Sequence, residues 1–339
     1  MQLKLHPLIL NLKEAFTISR DTYTHRKTLI IELVEGQHRG FGEASEHAYY
    51  QVSQKVLVEK ASSMQTELAN YSFDNPEKFN ALLQQLLPDF PFLQCAFDNA
   101  AHDLFGQIQQ QSCREIWNLP LRENPKSSYT LSIDRIDSMI AKVKSTDFDL
   151  YKVKLGTSND LEILKQIRKH TDAILRVDAN CAWTAAETIH NSKVMKNLGV
   201  EFIEQPLPAD DWSGMKKVYE NSELPIIADE ACRNEADLKK MPGHFHGINV
   251  KLMKCGGLTP ALKMSQPSRS LQLKVMCGCM VESSVGIAAI AQLLPLLDYV
   301  DMDGPLLLAD DPAHSVNILS DGSIAFPNRP GLGIHPIRF

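Results

Sequence analysis

Apolar residues recur in short runs at a nearly constant interval through the middle of the chain. Five of these runs end in a charged residue, namely Lys154, Asp178, Glu204, Asp229 and Lys251. Successive ends lie 24, 26, 25 and 22 residues apart, which leaves room for a strand, a helix and two turns. Between the runs, apolar residues fall three and four positions apart, as in helices with one buried face. The pattern predicts repeated βα units and a parallel sheet.

Three further strand-like segments bring the number of predicted strands to that of a closed barrel. Ser128–Ile133 precedes the five runs, and Leu273–Gly278 and Tyr299–Asp303 follow them. With the five runs these segments make about eight strands, as a TIM barrel requires. Because parallel strands end on the same side of a barrel, we expect the charged ends of the runs to converge on one hollow.

The first part of the chain has a different order, with strands first and helices second. Residues 1 to about 48 are strand-like, and apolar residues at helical spacing then cover Ser53–Glu67, Pro76–Leu87 and Phe92–Gln111. This order predicts a separate α+β domain. We therefore expect a capping domain (residues 1–120), a barrel (residues 121–315) and a tail (residues 316–339) that packs back on the capping domain.

Length and composition are those of an ordinary globular protein and exclude several classes. The 339 residues suit a barrel plus a smaller domain, and the net charge of −6 argues against nucleic acid as a partner. No uninterrupted apolar stretch is long enough to predict a membrane span, and the N-terminus lacks the apolar core of a signal peptide. The seven scattered cysteines indicate reduced thiols in a cytoplasmic protein.

The three carboxylates among the strand ends indicate a divalent cation. Asp178, Glu204 and Asp229 would repel one another in a shared hollow unless a cation neutralised them. Mg²⁺ prefers such oxygen ligands and leaves coordination positions open for a substrate, whereas zinc favours His or Cys. We expect one Mg²⁺ per subunit, for which Mn²⁺ can substitute.

The lysines of the same strand ends suggest acid–base chemistry. Lys152 and Lys154 alternate along one strand and therefore point the same way, and we expect neighbouring cations to depress their pKa. A lysine closer to neutrality can act as a general base. Lys251 would face Lys154 across the hollow, so that one base removes a proton and the other returns one from behind. Lys254, beyond the strand, is a second candidate for the role of Lys251.

Together these motifs resemble the muconate-lactonizing-enzyme subgroup of the enolase superfamily. The resemblance covers nearly the whole chain and rests on Lys152-Val-Lys154, Asp178-Ala-Asn180, Glu204-Gln-Pro206, Asp229-Glu230 and Asn249–Gly257. It implies a modified (β/α)7β TIM barrel with an N-terminal α+β capping domain. It also implies Mg²⁺ on the three carboxylates, Lys154 and Lys251 as acid/base pair, and Lys152 beside the substrate carboxylate. Members of such families often assemble, which allows a homo-oligomer.

Within this subgroup, the residues near the eighth strand favour a dipeptide epimerase. Asp301 and Asp303 resemble the Asp-x-Asp element with which these epimerases hold a dipeptide's free amine. Arg20 aligns with a capping-loop arginine that contacts the second residue's side chain, although the preferred side chain stays open. Thr130 and Glu282 are further candidates for substrate contact.

The predicted reaction inverts the α-carbon of the second residue of L-Ala-Xaa dipeptides through an enolate. Two alternatives of the same subgroup stay open from sequence, a muconate-type cycloisomerase and an o-succinylbenzoate synthase. A non-catalytic alternative is a metal-dependent barrel that binds peptides.

Overall fold

The computed structural model describes residues 1–119 and 123–335. Within these ranges the chain forms a three-stranded antiparallel sheet, a layer of helices and a nearly closed ring of eight parallel strands. The predicted fold class, a modified (β/α)7β barrel with an N-terminal α+β capping domain, is confirmed. The predicted domain boundary between residues 120 and 121 lies outside the described residues, so the division into domains stays a prediction.

The capping sheet has its strands in chain order, β1 (Gln2–Ile18), β2 (Asp21–Glu35) and β3 (His38–Ser45). A tight turn at Ser19 and Arg20 joins β1 to β2 and reaches the barrel, where both side chains donate hydrogen bonds to Asn180 O. The strand-like region predicted to about residue 48 therefore corresponds to one antiparallel sheet.

Five helices follow the capping sheet in the described part of the chain. They are α1 (Gln54–Ser63), α2 (Gln65–Asn70), α3 (Pro76–Leu86), α4 (Pro91–Gln109) and α5 (Cys113–Ile116). The single helix predicted for Ser53–Glu67 is two, because a tighter i−3 hydrogen bond from Met64 N to Ala61 O ends α1. The sheet packs closely on α4, since a Cβ at Gly42 would lie 2.0 Å from Ala96 O.

The barrel strands pair in chain order and are all parallel. They are β4 (Tyr129–Leu131), β5 (Leu150–Lys154), β6 (Ile174–Asp178), β7 (Val200–Glu204), β8 (Ile226–Ala228), β9 (Gly247–Asn249), β10 (Lys274–Gly278) and β11 (Tyr299–Asp301). A bridge between Ser127 and Val300 brings the first and last strands together. Asp229 and Lys251 lie just beyond the ends of β8 and β9, so these two strands are shorter than the apolar runs predicted.

Helices follow most barrel strands. They are α6 (Ile136–Ser145), α7 (Asp160–Arg168), α8 (Ala185–Asn197), α9 (Trp212–Asn221), α10 (Leu252–Cys255), α11 (Leu258–Ser270), α12 (Ser284–Gln292) and α13 (Gly304–Leu307). A 3₁₀ helix, Glu235–Lys240, takes the helix position after β8. On α7 the predicted apolar face is buried, with Ile163 and Ile167 against the sheet side.

The tail contains a small hairpin and then contacts the capping domain. The hairpin is β12 (Asn317–Ile318) and β13 (Ile324–Ala325). Beyond it, Leu332 N donates to Asp103 Oδ1 at 2.8 Å, and Gly331 pairs with Ser112. None of the helices in the described ranges is long and apolar enough to cross a membrane.

Candidate active site

The closed order of the strands places the two predicted bases on opposite sides of one cavity. Lys154 ends β5, the second strand of the ring, and Lys251 follows β9, the sixth strand. In a ring of eight, strands four positions apart face each other. Both side chains are nearly buried and line the same cavity at the carboxyl ends of the strands.

Lys152 and Lys154 bind the carboxylates of the neighbouring strand ends. Lys152 is 1% exposed, and its Nζ lies 2.7 Å from Asp301 Oδ2, 2.8 Å from Glu204 Oε2 and 3.3 Å from Asp178 Oδ2. Lys154 Nζ donates to Asp178 Oδ2 at 2.7 Å. The predicted convergence of these charges is therefore present, with ammonium groups between the carboxylates.

Asp229 has two lysine partners, one on each side-chain oxygen. Lys251 Nζ donates to Oδ2 and Lys254 Nζ to Oδ1, each at 2.7 Å. Lys254 lies on the short helix α10 and also donates to the backbone oxygens of Asp229, Cys232 and Asn249. Because it is buried among these acceptors and does not line the cavity, Lys254 holds Asp229 in place, and Lys251 is the lysine that faces the substrate space.

The pKa shifts follow from this pairing. Burial alone would raise the pKa of Asp178 and of Asp229, but their lysine partners outweigh it and lower both. Burial and the charge of Asp178 raise the pKa of Glu204 to about 7. For Lys152 and Lys251, burial lowers the pKa, but the attraction of the carboxylates is larger and raises it. The expectation that neighbouring cations depress the pKa of the pair Lys152 and Lys154 is therefore wrong for Lys152.

The carboxylate oxygens of Asp178, Glu204 and Asp229 suit a hard divalent cation, although these side chains form ion pairs with lysines. In the described ranges, no three His, Cys, Asp or Glu side chains form a ready-made ligand cluster. Asp178, Glu204 and Asp229 are nonetheless at most 1% exposed and offer only oxygen atoms, which Mg²⁺ prefers. Glu204 Oε2 is buried and accepts no hydrogen bond, even though Lys152 Nζ is close to it. A buried acceptor without a donor is a suitable ligand for a cation.

Asp301 and Asp303 both reach the cavity beside Thr130. Thr130 donates to Asp303 through its backbone N at 2.6 Å and through Oγ1 at 3.1 Å. Asp303 stands one residue before helix α13, beyond the end of the strand predicted for Tyr299–Asp303. Burial raises the pKa of Asp301, but Lys152 and Lys154 lower it overall, whereas burial and Asp301 raise the pKa of Asp303 to about 8.

A family model described as enolase C-terminal domain-like matches residues 135–338. The L-Ala-D/L-amino acid epimerase of a Maribacter species is 48% identical over 335 residues, which cover 98% of this chain and 99% of that protein. The chain belongs to the enolase superfamily. Within the superfamily it belongs with the dipeptide epimerases, as the sequence motifs predicted.

Solved structures of this superfamily support the same placement. The L-Ala-D/L-Glu epimerase from Bacillus subtilis, in a substrate-liganded complex, has a TM-score of 0.94 and 25% identity, covering 100% of this chain and 99% of that one. A dipeptide epimerase from Cytophaga hutchinsonii, complexed with Mg and the dipeptide D-Ala-L-Val, has a TM-score of 0.93 and 26% identity, covering 99% of this chain and 95% of that one.

Two of the predicted substrate-contacting residues, Arg20 and Glu282, already have partners within this enolase-superfamily chain. Arg20 lines the cavity, but its Nη2 already donates to Glu230 Oε1 at 2.7 Å. Glu282 does not line the cavity; it is buried, accepts a hydrogen bond from Met280 N, and lies near the charge of Glu43. Their substrate contacts stay predictions.

Several residues that line the cavity were not among the predicted site residues. They are Phe16, Ile18, Tyr23, Arg26, His47, Asn180, Cys279, Met280, Val281 and Leu307. Most of them come from the first two strands of the capping domain or from the loop after β10. One local signal could have indicated Arg26. In Thr24-His25-Arg26-Lys27, the neighbouring residues Arg26 and Lys27 point to opposite faces of one strand, so at least one charge must lie on the inner face.

Proposed function

We propose that this chain is a Mg²⁺-dependent epimerase that inverts the α-carbon of the second residue of L-Ala-Xaa dipeptides. The observation that carries the proposal is the placement of Lys154 and Lys251 on opposite sides of one cavity. The similarity to an L-Ala-D/L-amino acid epimerase supports the dipeptide as substrate. We place the reaction in the cytoplasm, where the seven cysteines, all unpaired in the structure, would stay reduced.

Inversion requires that a proton leave one face of the α-carbon and another arrive at the opposite face. In the proposed reaction Lys154 and Lys251 perform these two steps, and their roles exchange with the direction of the reaction. Asp178, Glu204 and Asp229 would hold Mg²⁺, which as a Lewis acid stabilises negative charge on the substrate carboxylate. Lys152, fixed by three carboxylates, would donate to an oxygen of the enolate that forms between the two proton transfers.

The other end of the dipeptide carries an ammonium group. Asp301 and Asp303 would bind it, with Thr130 keeping both carboxyl groups turned towards the cavity. Binding a cation favours the ionised form of Asp303, whose pKa of about 8 keeps it largely protonated at neutral pH without a ligand. The amine site therefore fixes which end of the peptide enters first and which α-carbon lies between the lysines.

The two-base arrangement can be tested by single replacements in D₂O. Lys154→Ala and Lys251→Ala should each lower the rate of inversion by about 10²- to 10⁴-fold. Each variant should still exchange the α-proton of the one epimer that faces its remaining lysine, so that the two variants exchange opposite epimers. Proton NMR of an L-Ala-L-Xaa and L-Ala-D-Xaa panel measures both quantities. Lys55→Ala, an 84% exposed lysine, is the control and should match the unmodified enzyme.

Two outcomes would contradict this assignment. Inversion at near wild-type rate in either lysine variant would show that the residue is not an obligatory base. Tight dipeptide binding without any deuterium incorporation in the unmodified protein would favour the peptide-binding barrel over an enzyme.

A further inference from the structure

A buried arginine without a counter-ion faces the cavity of the proposed epimerase. Arg26 lies on β2, opposite Leu10 of β1, and is 7% exposed. It lines the same cavity as Lys154 and Lys251. The proposed reaction gives it no role, since the metal, the lysines and the two aspartates account for both ends of the dipeptide.

The contacts of Arg26 leave its charge uncompensated. Its guanidinium lies 3.7 Å from the centre of the Tyr23 ring, and Nη1 donates to Glu46 O at 3.5 Å. Nε is buried and has no hydrogen-bond partner. Among the ion pairs of residues 1–119 and 123–335, none involves Arg26. A buried cation costs free energy unless an anion pairs with it, so the site is suited to a ligand anion.

The other arginine of the cavity is already neutralised. Arg20 donates through Nη2 to Glu230 Oε1 at 2.7 Å and through Nη1 to Asn180 O at 2.9 Å. His47 also faces Arg26, but burial and the charges of Arg26 and Lys251 lower its pKa to about 3, so its ring adds no charge. Of the two arginines in the described cavity wall, Arg26 is therefore the one available to an anionic side chain.

An apolar wall leads to the guanidinium. Phe16, Ile18 and Tyr23 line the cavity, and the rings of Phe16 and Tyr23 stack with centroids 5.4 Å apart. Such a wall suits the methylene groups of a side chain, and the cation beyond it suits a terminal carboxylate.

We propose that Arg26 selects the substrate by binding the side-chain carboxylate of an acidic second residue, glutamate in particular. This inference rests on the proposed function and adds the class of side chain that the site accepts. The ammonium group then lies at Asp301 and Asp303, the α-carbon lies between the lysines, and the side chain extends along the apolar wall to Arg26.

A neighbouring groove offers an alternative, in which the site accepts a cationic second residue. Beyond Tyr23 and Arg26 lies an open groove of about 630 Å³ whose lining includes Asp21 and Glu46. A long cationic side chain that passed Arg26 could reach these two acids. The test therefore includes a dipeptide with a second-residue lysine.

The experiment compares kcat/KM for L-Ala-L-Glu, L-Ala-L-Gln and L-Ala-L-Lys in the unmodified enzyme and in the variants Arg26→Met, Arg20→Met and Arg39→Met. We expect the unmodified enzyme to prefer the glutamate dipeptide. In Arg26→Met the ratio of kcat/KM for glutamate over glutamine should fall by about 10- to 100-fold, the value of a hydrogen bond to a charged group. Arg20→Met tests the predicted capping-loop contact as the rival, and Arg39→Met, which replaces a 59% exposed arginine of the capping sheet, is the matched control and should leave this ratio unchanged. Arg26→Lys, which keeps the charge, should retain part of the preference.

The other possible outcomes would overturn the role of Arg26, either alone or together with the proposed function. A ratio that stays constant in Arg26→Met, or one that falls in Arg20→Met instead, overturns the role of Arg26 while leaving the epimerase proposal in place. A preference for the lysine dipeptide in the unmodified enzyme favours the outer groove and also overturns it. Failure of the unmodified enzyme to epimerise any dipeptide overturns the proposed function and this inference together.

Discussion

Buried carboxyl groups occur in two regions of this protein, and the two regions satisfy them in different ways. At the mouth of the barrel, Asp178 and Asp229 have lysine ammonium groups 2.7 Å away. Between the capping domain and the barrel, Glu43 accepts hydrogen bonds from Thr28 Oγ1 and from the backbone and hydroxyl groups of Ser283. The donors at the mouth are cations, whereas the donors at the domain interface are neutral.

The difference in donors changes the charge state that each region favours. Lysine partners overcome burial and lower the pKa of Asp178 and Asp229, so these groups are anions at neutral pH. Without such partners, burial raises the pKa of Asp98 to about 7 and that of Glu282 to about 8. Burial is nearly complete in both regions, so the identity of the neighbours decides the charge. At the mouth, burial and the charge of Asp178 outweigh the nearby Lys152 and raise the pKa of Glu204 to about 7. The mouth is thereby prepared for a cation, and the interface for packing.

The largest expected effect is that of neutralising one carboxylate at the mouth. Asp229→Asn removes a proposed Mg²⁺ ligand and leaves Lys251 and Lys254 without their anion. We expect kcat to fall by about 10³-fold or more, because metal ligation and the position of one base are lost together. Steady-state kinetics measures the loss, and calorimetric titration with MgCl₂ measures the accompanying loss of metal affinity. Unchanged metal affinity in this variant would remove Asp229 from the ligand set.

A smaller effect is expected at the amine site. There Asp301 pairs with the cation Lys152, whereas Asp303 accepts hydrogen bonds from the uncharged Thr130. Asp303→Asn should raise KM for dipeptides more than it lowers kcat and reduce kcat/KM by about 10- to 100-fold, the value of a charge-assisted hydrogen bond. In the unmodified enzyme, dipeptide binding at pH 7 should release a proton, because Asp303 must ionise from a pKa of about 8. Calorimetry in buffers of different ionisation enthalpy measures that proton, and its release should disappear in Asp303→Asn. Equal release by both proteins would assign the proton to another group.

The sequence predicted the mouth of the barrel better than the domain interface. The strand ends repeat at a regular interval, so their convergence follows from local pattern and the geometry of parallel strands. Lys154, Asp178 and Glu204 are therefore where the spacing predicted them. The pKa of Lys152 was predicted in the wrong direction, because repulsion between cations was considered without the carboxylates that surround this lysine.

Residues that depend on packing between distant segments could not be predicted in this way. From the local sequence, Arg26 is only a charged residue in a strand. It is buried because the capping sheet lies against the barrel mouth. Glu43 and Glu282 are separated by most of the chain, and no local pattern records that they meet. Lys254 was expected only to lie beyond the strand as a second candidate base, and the single turn of α10 brings its ammonium group to Asp229.

The smallest expected effect on activity is at the interface, where Glu282→Gln tests its charge state. The folded pKa of about 8 is above the usual value of 4.5, so this group's contribution to stability is present below pH 4.5 and is lost as the pH rises through 8. Glutamine cannot ionise, so the variant should gain stability over the unmodified protein between pH 5 and 7, on the order of 3 kcal/mol at pH 7. Chemical denaturation at both pH values measures this, with kcat expected to stay within about twofold. A variant that is less stable at pH 7 than the unmodified protein would show that Glu282 is ionised at that pH, and that the interface resembles the mouth after all.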